Sequence, residues 1–142
     1  MSIVDDPPIQ PIVDTGVIPK LIEYINQESY PQLQLEATWA LTNVASGTSQ
    51  QCQSIVDKGA IPLFIKLLKS NMIGIVEQAV WALGNIASDS SFHRDTILRN
   101  GGIPNMIYAI RHFSDPYLIE HSAWSISNMC RGQPLPNFDI IR

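Results

Sequence analysis

The chain has 142 residues, enough for one domain with its own core, and with 45% hydrophobic and 15% charged residues it reads as globular rather than disordered. No run of 18 apolar residues offers a membrane span, and the opening Met1-Ser2-Ile3-Val4-Asp5-Asp6 places acid where a secretory leader needs base. A net charge of -4 disfavours direct nucleic-acid binding and favours a basic partner, while two distant cysteines, Cys52 and Cys130, fit reduced thiols better than a disulfide framework.

In chain order, residues 9–15 read as the tail of an incomplete unit closed by Gly16, a helix C-terminal signal. Pro19 sits in the first turn of a helix expected to run to about residue 28, where its missing N–H is harmless. Ser29-Tyr30-Pro31 turns the chain into a helix over about 32–46 that carries Trp39. Gly47 ends it, and Thr48 or Ser49 caps a short helix to residue 58. The order then recurs: Gly59, a helix over about 62–69, a loop at Ser70-Asn71, and a helix to residue 88 that carries Trp81. Asp89-Ser90-Ser91 caps a short helix to residue 100, Gly101-Gly102 breaks it, and Pro104 opens a helix to residue 113. Pro116 starts the helix that carries Trp124, and residues 137–142 begin one more.

The recurrence is a repeat. Trp39, Trp81 and Trp124 are each followed four positions later by Asn43, Asn85 and Asn128, and the turns Gly16-Val17-Ile18-Pro19, Gly59-Ala60-Ile61-Pro62 and Gly102-Ile103-Pro104 keep the same period of 42 to 43 residues. A period in the low forties points to an all-α solenoid of armadillo or HEAT type, and three helices per unit favour armadillo. The expected organisation is a single domain over 1–142, with units at about 16–58, 59–100 and 101–136 and partial units at 1–15 and 137–142. Ends left open in this way would make self-association possible.

At about 100° per residue, Leu33, Ala37, Ala40, Leu41 and Val44 share one face of the first tryptophan helix, and Gln32, Glu36, Trp39, Asn43 and Ser46 share another. Ile75, Ala79, Ala82, Leu83 and Ile86 oppose Gly74, Gln78, Trp81, Asn85 and Ser88 in the second. Leu118, Ser122, Ser125, Ile126 and Met129 oppose Tyr117, His121, Trp124, Asn128 and Arg131 in the third. A single helical Trp is ordinarily core, and a single mid-helix Asn is ordinarily a local hydrogen bond. Three copies in register, all on the polar stripe, instead describe an exposed binding ladder.

Indole faces attract a cationic head by roughly 0.5–2 kcal/mol and accept its methylene stem. An Asn amide bonds one peptide unit's N–H and C=O whatever the side chain. An extended peptide advances about 7 Å per two residues, so alternate side chains can enter successive slots between helices packed roughly 8–10 Å apart. Asp89, one turn beyond Asn85, is placed either to meet a lysine ammonium or to cap the helix that follows.

These three segments resemble armadillo repeats two to four of the importin α (karyopherin α) family, with Gly47-Thr48-Ser49 after the first as a further point of likeness. The resemblance runs from about residue 9 to residue 142. It implies a right-handed superhelical solenoid that binds Lys/Arg-rich nuclear localisation signals of cargo proteins without any cofactor, in cytoplasm and nucleus. Family roles carry onto Trp39, Asn43, Gly47, Gln78, Trp81, Asn85, Asp89, Trp124 and Asn128, with Arg131 closing the same face. Cys52 stands where the family usually has Thr beside the key lysine pocket, and His121 where Asn is expected. The family's basic importin-β-binding segment is not seen, so importin β is not expected to bind this chain directly. Catalysis is not expected, because His93, His112 and His121 occupy unrelated repeat positions and neither cysteine has a motif context. His121 with Cys130 lacks metal-ligand spacing, so no metal is expected either. The remaining alternatives are an armadillo scaffold of the β-catenin sort and a truncated paralogue that pairs with itself.

Overall fold

In a computed structural model of the chain, residues 14, 16–132 and 134–136 are described. Among them are eight helices and no strand: α1 (Ile18–Tyr24), α2 (Pro31–Ala45), α3 (Ser49–Val56), α4 (Ala60–Leu67), α5 (Ile73–Asp89), α6 (Ser91–Arg99), α7 (Gly102–Phe113) and α8 (Pro116–Met129). The all-α expectation holds, and most boundaries fall within two residues of the sequence reading. The exception is α1, which stops four residues early. Beyond Tyr24 the chain tightens into i→i+3 turns, Asn26 N–H donating to Glu23 and Gln27 N–H to Tyr24, so that Ile25 stays in the core while the backbone reverses toward Pro31. The partial helices expected at 9–15 and 137–142 lie outside the described residues, apart from residue 14, which is helical.

Local chemistry sets the joints. Thr48, not Ser49, caps α3, accepting from Gln51 N–H while the Gln51 side chain accepts from Thr48 N–H. Ser90 caps α6 and Asp115 caps α8 through their side-chain oxygens. Gly59 and Gly101 take the left-handed backbone that redirects the chain into α4 and α7. The third turn marker is therefore Gly101 rather than Gly102, which is the first residue of α7.

The three tryptophan helices stack side by side, with α5 in the middle against α2 and α8. Its predicted apolar face is buried throughout, and Val76 and Val80 join it because α5 has a neighbour on both sides. In α2 the buried stripe is turned by about one residue from the sequence reading. Leu33 is exposed and Ala40 only half-buried, whereas Gln34 and Thr38 are buried. Their polar atoms are satisfied at short range: Gln34 Nε2 donates to the Ile25 carbonyl at 2.9 Å, Thr38 Oγ1 to Gln34 O at 2.6 Å, and Thr42 Oγ1 to Thr38 O at 2.8 Å. A hydroxyl that returns to its own helix can be buried at little cost. In α8, Ser122 and Ser125 are fully buried, and Ser125 Oγ donates to the Val80 carbonyl at 3.0 Å. Small side chains here let α8 approach α5 closely.

Candidate functional site

The same packing leaves the indoles outside. Trp39, Trp81 and Trp124 are 37%, 47% and 42% exposed, each on the stripe its helix turns away from the core. Trp81 and Trp124 lie 6.1 Å apart, centre to centre, inclined at 51°, and His121 meets Trp81 edge-on at 5.6 Å. Beneath them is Gly84. A Cβ at that position would lie 2.5 Å from Trp124 Cζ3, closer than real contacts allow, so the absence of a side chain on α5 is what seats the Trp124 ring. Gly84→Ala should push that ring out of place and cost about 1–2 kcal/mol of stability, visible as a lowered urea midpoint together with a shifted Trp emission.

The three asparagines diverge. Asn43 is half-buried and its amide makes no hydrogen bond within the described chain. Asn85 is half-buried too, with Nδ2 buried and without an acceptor. Asn128, expected as the third rung, is only 2% exposed: Nδ2 donates to the Gly84 carbonyl at 3.1 Å and Oδ1 accepts from Arg131 Nη2. The close approach at Gly84 brings that carbonyl within reach, so the third amide is spent inside the protein. Arg131 is exposed, but its guanidinium turns back onto Asn128. Gln78 is half-buried with its side chain uncommitted, and Gly47 is half-buried in the turn after α2.

Asp89 is the last residue of α5 and does not cap α6, a role Ser90 fills. Its Oδ1 accepts from Ser49 Oγ at 2.6 Å, and its Oδ2 lies 3.3 Å from His93 Nδ1. Cys52, which the resemblance places beside a lysine pocket, is fully buried behind this carboxylate. Donor atoms of Cys52, Asp89 and His93 all lie within 4.8 Å of one another. Burial, and secondarily the Asp89 charge, push the Cys52 thiol up to about 12. A thiol reagent at pH 8 should therefore titrate the half-buried Cys130 first and reach Cys52 only after denaturant is added. Two thiols reacting at one rate in the folded chain would contradict this. Ser49, Gln53, His93 and Gly84 were absent from the sequence-derived site. The i,i+4 spacing of Asp89 and His93 was the one signal available.

The armadillo/beta-catenin-like repeat profile matches residues 5–46 and 48–88, more than half of the chain. The chain belongs to the armadillo-repeat family. Each matched armadillo repeat ends with its tryptophan helix. Similar proteins include importin subunit alpha-1b of Oryza sativa subsp. japonica, 45% identical over 142 residues, which are all of this chain and 27% of that protein. Importin subunit alpha-B of Dictyostelium discoideum is 49% identical over 144 residues, covering all of this chain and 28% of that protein. The armadillo chain thus spans about a quarter of the length of the curated relatives it matches. Among solved structures, a designed armadillo repeat protein in complex with the peptide (KR)4 matches with a TM-score of 0.78 and 27% identity, over 84% of this chain and 49% of that one. An engineered protein matches at 0.80 and 30% identity, over 87% and 49%.

Proposed function

We infer that this armadillo chain binds linear Lys/Arg-rich peptides, of the nuclear localisation signal kind, in extended form along the exposed stripe of α2, α5 and α8, in cytoplasm and nucleus. The observation that carries this reading is Asn85: an amide N–H₂ buried without an acceptor, in register with exposed indoles on both sides. Such a group is costly unless a ligand completes it, and a peptide carbonyl would. The flanking indole faces suit the stems and heads of basic side chains. Asp89, slightly exposed one turn further on, supplies a carboxylate for an ammonium. Similarity to importin α subunits and to a designed armadillo protein holding (KR)4 supports the same chemistry.

The test is a titration with a lysine-rich peptide, read by Trp emission, beside the same peptide with its lysines replaced by alanine. Saturable binding that weakens with salt is expected from the first only. Asn85→Ala should cost about 1–2 kcal/mol for every basic peptide, whichever position carries the lysine. Equal binding of both peptides, or concentration-dependent dimerisation with no peptide binding, would overturn the reading in favour of a general scaffold or a self-associating one.

A further inference from the structure

The geometry points to a divalent-cation site of zinc type formed by Cys52 of α3, Asp89 at the end of α5 and His93 of α6. Gln53 Nε2 donates to Asp57 Oδ1 at 2.6 Å, which fixes the Gln53 amide so that its Oε1 faces His93 Nε2 at 2.8 Å. An acceptor at Nε2 makes that nitrogen an N–H donor, so the neutral tautomer that keeps this bond carries its lone pair on Nδ1. Nδ1 is buried, lies 3.3 Å from Asp89 Oδ2 and makes no hydrogen bond. In that tautomer two acceptors face one another in a nearly closed space, with the Cys52 sulfur beside them. A cation held between them would satisfy both.

The donor set selects which one. A thiolate, an imidazole nitrogen and a carboxylate oxygen suit a borderline-soft ion such as Zn²⁺ or Co²⁺ better than Mg²⁺ or Ca²⁺. Tetrahedral zinc places its ligand atoms about 3.5 Å apart. The His93–Asp89 pair is already at that spacing, and the remaining separations, within 4.8 Å, close by small side-chain rotations. The Gln53–Asp57 chain behind His93 is the outer support that orients a ligating imidazole. On binding, the Cys52 S–H bond breaks, its proton leaves to solvent and a sulfur lone pair bonds the metal. This departs from the metal-free expectation drawn from spacing, because the three ligands come from three helices.

One consequence rests on the peptide reading. A metal held here occupies the Asp89 carboxylate, so a basic peptide and Zn²⁺ should compete. The test titrates Co²⁺ into the full chain. A thiolate-to-cobalt charge-transfer absorption that saturates at one ion per chain and is displaced by Zn²⁺ but not by Mg²⁺ is expected. Cys52→Ser should abolish the absorption, His93→Gln should weaken Co²⁺ binding at least tenfold, and Cys130→Ser should change neither. Helical circular dichroism of each variant, and Cys52→Ala as a second sulfur deletion, separate lost ligation from lost folding. No saturable absorption in the wild-type chain, or one that follows Cys130, would overturn the site and reduce Asp89–His93 to an ordinary ion pair. In the competition arm, saturating Zn²⁺ should weaken the lysine-rich peptide about tenfold in the wild-type chain and not in Cys52→Ser. Metal uptake with peptide affinity unchanged leaves the site standing and removes Asp89 from the peptide reading.

Discussion

Trp81→Ala should weaken any basic peptide by about 2 kcal/mol or more, roughly thirtyfold, while leaving the fold largely in place. Trp81 stands in the middle of the ladder on the middle helix, with Trp124 6.1 Å to one side and His121 edge-on at 5.6 Å. Removing the indole opens the slots on both sides of it and widens the gap across which alternate basic side chains must bridge. Nearly half of the side chain already faces solvent, so the hydrophobic loss on folding is smaller than for a core aromatic. Isothermal titration of wild type and variant, beside their urea midpoints, checks both statements. A loss of affinity matched by an equal loss of stability would make Trp81 a structural residue instead.

Arg94→Ala should destabilise the chain by about 3 kcal/mol, the low end for breaking a buried charge pair, because the partner left behind retains some contact with water. Arg94 is 1% exposed, with Nε and Nη2 at 3.0 and 2.9 Å from Asp95 Oδ1 and Nη1 donating to the Arg131 carbonyl at 2.9 Å. It thereby ties α6 to the chain just beyond α8, and its loss also frees a backbone acceptor there. Lysine should not rescue it, since an ammonium cannot hold both partners in the planar fork of a guanidinium. Methionine, which keeps the stem, should recover part of the loss. Urea unfolding of the three variants provides the comparison, and Arg94→Lys at wild-type stability would refute the fork argument.

The repeat was legible because a solenoid unit must place the same residue types at the same joints each time. Trp39, Trp81 and Trp124 recur with their asparagines, and the left-handed glycines recur with the prolines of the helices they open. The apolar face of α5 was legible for the same reason that it is broad: a helix packed on both sides needs an uninterrupted apolar set. On α2 the wheel misplaced the stripe, because hydropathy ranks Leu33 as core and Thr38 as surface and does not register that a threonine hydroxyl can return to its own backbone.

The class of fold, the count and register of the tryptophan helices, and the exposure of the three indoles were legible without the structure, because all of them follow from short-range periodicity and helix joints. Which asparagine amides stay open depends on long-range packing, since Asn128 is consumed by a Gly84 carbonyl 44 residues away that only the close approach of α8 to α5 brings near. The same holds for Cys52, Asp89 and His93. The cysteine lies about forty residues before the other two, and its burial behind their carboxylate and imidazole arises where α3 packs on the end of α5 and the start of α6, a long-range contact that no helical period encodes.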